Sequence, residues 1–178
     1  MGVVFKDALF DAQLLRAAGH ACAGGAEIGE CLAAAREIRE PDAASWHAAW
    51  HGLAERVLAE AETSRAAGHA ISTRGAYLRA SNYFRTAYIF LFGTPVDPRV
   101  VAAYRAHRAA FAAAAASMAP PLEPVAIPYE GKTLRGYFCR AAGDRASRPT
   151  LIVNGGYDST AEECFLFSGA AALARAYA

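Results

Sequence analysis

The sequence has 178 residues, of which 54% are hydrophobic and 20% are charged. This composition excludes a disordered chain and predicts one domain, or a small domain with part of another. Eighteen Lys and Arg residues stand against 17 Asp and Glu residues, a net charge of +1, which leaves no basic stripe for nucleic acid.

Four cysteines lie far apart without a CxxC pair. This spacing argues against a disulfide framework and a zinc site, and it is typical of reduced thiols in the cytoplasm. The acidic residue Asp7 precedes any apolar run long enough for a signal peptide. The longest apolar stretch, 109–119, is mostly alanine and too short to cross a bilayer. We therefore expect a cytoplasmic protein with no membrane partner.

Residues 1–119 are alanine-rich and have the period of helices. The first helix ends near Gly19, the second stops at Pro41, the fourth spans residues 72–92, and Asp97 with Pro98 starts the fifth. The five predicted apolar stripes are, in chain order, Phe5, Leu9, Phe10 and Leu14; Ile28, Leu32, Ala35 and Ile38; Trp46, Trp50, Leu53, Val57 and Leu58; Tyr77, Ala80, Phe84, Tyr88 and Leu91; and Val101, Tyr104 and Phe111. Asp42 or Ser45 can cap the third helix. This region predicts a helical layer with an aromatic interior.

The sequence changes character at Pro120-Pro121, because two consecutive prolines remove two backbone donors and stop a helix. We therefore place a domain boundary after residue 119. Beyond it, apolar residues alternate before the predicted turn Glu130-Gly131-Lys132 and further apolar residues follow the turn, which indicates a β-hairpin. The alternating residues are Val125, Ile127 and Tyr129, and Leu134, Tyr137 and Cys139 follow the turn.

The run Thr150–Val153 is wholly apolar after its threonine, and such a run is typical of a strand buried on both faces of a parallel sheet. It leads through Asn154-Gly155-Gly156-Tyr157 into a predicted helix. Ser159 or Thr160 would cap that helix, and Glu162 and Glu163 in its first turn suit the helix dipole. We expect the helix to continue through Ala170 and Leu173.

Two adjacent glycines before a helix permit a sharp turn and leave backbone N–H groups free to hold an anion or a developing oxyanion. An ordinary tight turn between a strand and a helix accounts for the same two residues. The loop is not a nucleotide-binding fingerprint, since neither GxGxxG nor GxxxxGK[ST] is present.

Three blocks, residues 77–85, 125–138 and 148–163, read YLRASNYFR, VAIPYEGKTLRGYF and RPTLIVNGGYDSTAEE. In this order they resemble landmarks of one group of α/β-hydrolases, which includes the fermentation-respiration switch protein, fungal polyketide-shortening hydrolases and pseudooxynicotine C–C hydrolases. The resemblance covers roughly residues 45–178, and residues 1–44 contribute little to it.

The resemblance implies a fold of α+β to α/β class: a helical cap domain, 1–119, and the start of a hydrolase sheet, 120–178, with the sheet incomplete. It implies that Gly156 or Tyr157 donates a backbone N–H to an oxyanion hole. It also implies that Arg79 and Tyr83 lie on a helix overhanging the substrate. The alternative for these two residues is that the aromatic stripe is core and that Arg79 pairs with a carboxylate.

The sequence contains no GxSxG motif, and Ser168 comes nearest to it without the flanking glycines. The nucleophile, acid and histidine of the family would lie later than residue 178, so we expect this chain alone to be inactive. In the family the third strand pairs with the fourth and fifth. A strand at 150–153 would therefore lack both neighbours, and we expect the sequence to be the N-terminal part of a longer protein or to pair with another chain.

His47 and His51 have a spacing that can chelate a metal, but no third ligand is near in sequence, so we interpret them as the polar side of an amphipathic helix. We predict no metal and no organic cofactor. The resemblance implies a longer serine-type hydrolase that acts on an ester, a thioester or a carbonyl-activated C–C bond. Its substrate would be a small molecule with a carbonyl group, aromatic or polyketide-like, and homo-oligomerisation stays open.

A second hypothesis is a non-catalytic helical module that binds a protein partner or an aromatic small molecule. A third is a plain structural helical domain with a flexible tail.

Overall fold

The computed structural model describes residues 2–119, 121–141 and 149–170. In chain order they form helices α1 (Ala8–Gly19), α2 (Ile28–Arg36), α3 (Ala43–Ala66), α4 (Ala70–Tyr88) and α5 (Pro98–Ala116), strands β1 (Glu123–Tyr129) and β2 (Lys132–Phe138), and helix α6 (Ala161–Ser168). The chain forms two compact units, Met1–Ala114 and Ala115–Ala178. The division into domains 1–119 and 120–178 stays a prediction.

Side-chain oxygens cap the starts of several helices. The Asp42 carboxylate accepts the N–H groups of Ala44 and Ser45 at 2.9 and 3.2 Å, at the start of α3. Asp97 accepts from Arg99 N–H at 2.8 Å at the start of α5. Each cap satisfies an N–H group that has no acceptor inside its helix. The predicted caps at Asp42 and Asp97 are confirmed.

An aromatic core holds the helical unit together. Its largest fully buried side chains include Trp46, Trp50, Tyr83, Phe84 and Phe111. The Trp46 ring lies 4.9 Å from the rings of Phe10 and Phe90, and its Nε1–H donates to the Thr86 carbonyl at 2.8 Å. The aromatic interior predicted from the stripes of the third and fourth helices is confirmed, although α4 ends at Tyr88 rather than at residue 92.

The inward faces predicted for α1, α2 and α5 are partly wrong. Five of the predicted residues are exposed: Leu9, Ile28, Leu32, Val101 and Tyr104. The buried faces of α2 and α5 consist largely of small residues, among them Cys31, Ala34, Ala35, Ala103 and Ala110. Helix α1 buries Phe10 and Leu14 as predicted, together with Ala17. Alanine permits close helix contact but carries little hydropathy, so an alanine-rich helix does not identify its buried face by its largest residues.

Strands β1 and β2 form an antiparallel two-stranded sheet, with Glu123 opposite Phe138 and Tyr129 opposite Lys132. Glu130 and Gly131 connect them with φ of 46° and 70°. Positive φ at both central residues is the geometry of a type I′ turn, which matches the twist of paired strands. The predicted hairpin is confirmed, with a two-residue turn because Lys132 already belongs to β2.

The strand predicted at 150–153 is not formed. Within the described residues β1 and β2 are the paired strands, whereas Leu151 and Ile152 are 73% and 85% exposed and belong to no strand. A strand requires a neighbour that accepts and donates its backbone hydrogen bonds, and the hairpin pairs with itself.

Helix α6 begins at the predicted cap, where the Thr160 hydroxyl accepts the Glu163 N–H at 3.1 Å. It ends earlier than predicted, at Ser168, because Gly169 adopts a left-handed conformation with φ of 65° that terminates a helix. Leu173, predicted within this helix, lies outside the described residues.

All four cysteines are free, with Cys31 and Cys164 buried and Cys22 exposed. Burial raises the pKa of the Cys31 thiol to about 11, so this side chain is a neutral thiol at physiological pH. Of the helices described, none combines the length and hydropathy needed to span a bilayer.

Candidate functional site

The glycine loop between the exposed 151–153 segment and α6 is tightly turned. A Cβ atom added at Gly155 would lie 2.3 Å from Ser159 Cβ and 3.0 Å from Cys164 Sγ. The first of these distances is impossible for a real side chain, so the backbone path requires glycine at position 155. The chain passes closely over the start of α6 at this point.

Gly156 lies in open space beside its crowded neighbour. A Cβ atom at this position would meet no atom within 4 Å. The Gly156 carbonyl accepts the Ser159 N–H at 3.3 Å, which closes a turn just before the Thr160 cap. The loop is therefore fixed at one end by crowding and at the other by the helix start.

The N–H groups of Gly156 and Tyr157 are the two predicted oxyanion donors. Over the described ranges neither N–H has a hydrogen-bond acceptor. Tyr157 is fully exposed and Gly156 is exposed as well. Both residues therefore lie open to solvent, and their N–H groups are not engaged within the described residues.

Two carboxylates in the first turn of α6 are buried, which the sequence analysis did not anticipate. Glu162 and Glu163 are 4% and 1% exposed. The Tyr137 hydroxyl donates to Glu162 Oε1 at 3.2 Å and so connects β2 to α6. Glu163 donates its backbone N–H to the Thr160 cap. These contacts support the helix that follows the glycine loop.

Arg79, a predicted substrate-binding residue, lies on α4 of the helical unit and contacts two carboxylates. Its Nε is 3.1 Å from Glu30 Oε2 on α2, and its Nη2 is 3.6 Å from Glu60 Oε2 on α3. The Arg79 side chain is 19% exposed. One guanidinium group therefore bridges two helices, and it retains limited access to solvent.

Tyr83, the second predicted substrate-binding residue, is fully buried one turn after Arg79. Its hydroxyl donates to Glu30 Oε2 at 2.6 Å and accepts the Glu27 N–H at 2.8 Å. Burial, followed by the bond to the Glu30 carboxylate, raises the pKa of Tyr83 far above its ordinary value. Tyr83 is therefore a neutral hydrogen-bond donor, and its ring packs against Trp50 at 5.6 Å.

Glu30 joins the two predicted residues through the same oxygen, Oε2. The structure thus places Arg79 and Tyr83 in one hydrogen-bonded group whose central carboxylate the sequence analysis did not identify. Glu30 lies 49 residues before Arg79, and no local pattern connects such distant positions. One of the two interpretations open from the sequence was that Arg79 pairs with a carboxylate, and this was the signal that could have indicated the contact.

A serine and a histidine meet inside the helical unit, but their geometry is structural. Ser81 Oγ lies 2.9 Å from His107 Nδ1 and 3.0 Å from the His107 carbonyl, and His107 Nδ1 lies 2.9 Å from the Ser81 carbonyl. A carbonyl accepts only, so Nδ1 carries a proton and cannot act as the base. Both side chains are fully buried, and the pair links α4 to α5.

The chain is similar to fungal hydrolases. It is 38% identical over 182 residues to hydrolase LUC6 of a Fusarium species, covering 100% of this chain and 43% of that protein. It is 43% identical over 166 residues to alpha/beta hydrolase gkaG of Penicillium citrinum, covering 90% and 38%. It is 36% identical over 182 residues to 20-hydroxy-prefusarin hydrolase FUS2 of Gibberella moniliformis, covering 100% and 43%. No protein-family model matches the chain.

The fold resembles that of a solved hydrolase. The crystal structure of 2,6-dihydroxy-pseudo-oxynicotine hydrolase matches with a TM-score of 0.57 and 23% identity, covering 71% of this chain and 34% of that one. The match lies in the N-terminal part of the neighbour. The predicted fold class, a helical region followed by the start of an α/β-hydrolase sheet, is confirmed.

The predicted resemblance to this group of α/β-hydrolases is confirmed as well. It extends further than predicted, because two alignments cover the whole chain and therefore include residues 1–44. The chain spans about two fifths of the length of the curated relatives it matches.

Proposed function

We propose that the protein carrying this chain is a serine-type α/β-hydrolase that cleaves an ester, a thioester or a carbonyl-activated C–C bond. In this proposal the chain contributes a helical cap and the glycine loop, whose N–H groups stabilise an oxyanion. The catalytic triad lies outside this chain. The hydrolase relatives that align over 90% or more of the chain support the reaction class.

The geometry of the glycine loop is the observation that carries the proposal. Gly155 is required by crowding, and the next two N–H groups have no acceptor in the described part of the chain. Attack of a serine on a carbonyl carbon turns the carbonyl oxygen into an oxyanion. A preformed backbone N–H stabilises that charge, and one such donor accounts for on the order of 10²–10³ in rate.

Arg79 and Tyr83 are proposed to form part of the substrate pocket in different ways. Arg79 is the member with solvent access, so its guanidinium would contact a polar group of the substrate. Tyr83 is buried and bonded to Glu30, so it would act by holding the carboxylate that orients Arg79. Tyr83 is thus proposed as a positioning residue.

We propose a small-molecule substrate with a carbonyl group, aromatic or polyketide-like. The names of FUS2 and of the structural neighbour each refer to a small molecule, which supports this size class. We also propose that the protein is cytoplasmic and that its reaction needs no organic cofactor.

Labelling with a fluorophosphonate probe tests the reaction class. The full-length gene product is expected to be labelled and to hydrolyse p-nitrophenyl esters, whereas chain 1–178 is expected to show neither property. Labelling of chain 1–178 would place a reactive serine within it and contradict the proposal. A full-length protein that resists the probe but binds an aromatic ligand would favour the non-catalytic module.

A further inference from the structure

Two histidines lie side by side on α3, outside the groups described so far. The ring centroids of His47 and His51, one helical turn apart, are 5.2 Å from each other. The sequence predicted the polar side of an amphipathic helix, and both residues are half-buried. The His51 ring meets the Phe84 ring edge-to-face at 5.3 Å. Neighbouring groups therefore restrict both rings.

The protonation of the His47 ring follows from its contact with α4. Its Nδ1 lies 3.1 Å from the Ala87 carbonyl oxygen. Because that oxygen can only accept, Nδ1 must carry the proton, and Nε2 keeps its lone pair. The contact also fixes the orientation of the ring.

His51 has a carboxylate near it on its own helix. Its Nδ1 lies 3.6 Å from Glu55 Oε2, and the His51 side chain is 29% exposed. In the neutral tautomer with its proton on Nδ1, on the side of this carboxylate, Nε2 carries the lone pair. In the residues that the structure describes, no protein group hydrogen-bonds to Nε2 of His47 or of His51.

We propose that His47 and His51 bind one divalent transition-metal ion of the class Zn²⁺, Ni²⁺ or Cu²⁺ through their Nε2 atoms. Residues four apart lie on the same helix face, so both imidazoles can reach one ion. Imidazole is a preferred ligand of these metals. A metal-binding histidine almost always donates its other ring N–H to a backbone carbonyl or a carboxylate. The Ala87 carbonyl fills this role for His47, and the Glu55 carboxylate lies 3.6 Å from Nδ1 of His51.

The protein would supply two ligands. Across residues 2–119, 121–141 and 149–170, no group of three or more His, Cys, Asp or Glu side chains is arranged to hold a metal. The remaining coordination positions would belong to water or to a donor atom of another molecule. The ion would therefore exchange readily, unlike the closed four-ligand sites that hold structural zinc.

Calorimetric titration of the 178-residue chain with NiCl₂ tests this site. The exposed Cys22 thiol is a competing ligand, so the titration uses a Cys22→Ser background. We expect one Ni²⁺ ion per chain and a melting temperature that rises with Ni²⁺, because an ion that binds only the folded state stabilises it. His51→Gln is expected to lower the affinity at least about tenfold, since even the loss of an outer partner of a ligand typically costs that much.

His69→Gln is the matched control, because His69 is exposed and lies at the start of another helix. It is expected to bind Ni²⁺ as the background does. Circular dichroism checks that each variant folds, and His51→Gln removes no hydrogen bond between helices. With Cu²⁺ as the probe, electron paramagnetic resonance should report two nitrogen ligands, and one after His51→Gln. Equal Ni²⁺ affinities in His51→Gln and the background would overturn the proposal, as would a loss of affinity in His69→Gln.

Discussion

In the unit Met1–Ala114 most aromatic side chains are buried, whereas in the described part of the unit Ala115–Ala178 most aromatic side chains lie in solvent. Trp46 and Trp50 are fully buried in the first unit, while Leu151, Ile152 and Tyr157 are highly exposed in the second. The two units contain similar types of apolar residue and differ in what surrounds them.

The difference between the two units follows from how helices and strands satisfy their backbone hydrogen bonds. A helix satisfies its backbone internally, so helices need only pack their side chains together. A strand depends on its neighbours, and a lone two-stranded hairpin is marginally stable in water. The helical unit can therefore complete its core locally, whereas Leu151 and Ile152 have no described strand beside them.

The largest expected effect of a substitution lies in the aromatic core. Trp46→Ala should lower the free energy of unfolding of the 178-residue chain by about 3–5 kcal/mol, because it leaves a large cavity and removes the bond to Thr86. Urea denaturation followed by circular dichroism measures the change. Leu151→Ala is the control in the exposed segment and should leave the midpoint nearly unchanged. Equal losses for the two variants would contradict the contrast between the units.

Asn82 tests the buried polar bonds of the same unit. Its Nδ2 donates to the carbonyls of Ala17 and Gly25 at 3.0 and 2.8 Å, and the side chain is buried. Asn82→Ala should cost about 1–3 kcal/mol of unfolding free energy, since it leaves buried carbonyls without these donors. Thermal and urea unfolding would report the loss. A variant as stable as the wild type would show that water replaces the amide.

Asp11 should make the stability of the folded chain depend on pH. Its carboxylate accepts the N–H groups of Val3, Val4 and Phe5 at 2.8–3.0 Å, and these bonds lower the pKa of Asp11. The pKa of Asp11 is lower in the folded state than in the unfolded state, where it is about 3.9, so the ionised carboxylate stabilises the fold above that pH. This stabilisation is lost as the pH falls through the folded-state pKa of Asp11. Wild type should have a higher urea midpoint than Asp11→Asn at pH 7, and the difference should close as the pH falls below about 4. A gap independent of pH would contradict this assignment.

The smallest expected effect concerns Ile152. Ile152→Lys should change the unfolding free energy of the 178-residue chain by less than about 0.5 kcal/mol, because the side chain is already exposed. In the full-length protein the same change should reduce soluble yield or melting temperature if residues 150–153 join a buried sheet there. Tolerance of Ile152→Lys in both forms would argue against a buried strand at this position.

The sequence predicted the parts of the fold whose signals are local. Large aromatic residues three and four positions apart identified the core of α3 and α4, and the hairpin and the caps at Asp42 and Asp97 followed from their residue types. The faces predicted for α1, α2 and α5 were partly wrong, and for α2 and α5 the reason is that alanines make up much of the buried face. Hydropathy gives alanine too little weight to identify such a face.

The candidate site was predictable to a similar degree. The glycine loop carries its own signal, and the structure adds the reason that position 155 must be glycine. Glu30 has no local sequence signal of this kind, because its contact with Arg79 depends on how α2 and α4 pack. The extended run at 150–153 has the composition of a buried strand, but composition does not supply the partner that a strand needs.

Removing single backbone donors in the full-length protein tests the central claim most directly. Gly156→Pro and Tyr157→Pro each delete one N–H, whereas Gly156→Ala and Tyr157→Phe retain it, and Gly156 has room for a Cβ atom. At least one proline variant should lose about 10²–10³ in kcat with little change in KM or melting temperature, and the matched controls should stay active. If both proline variants fold and turn over substrate as fast as their controls, these amides are not oxyanion donors.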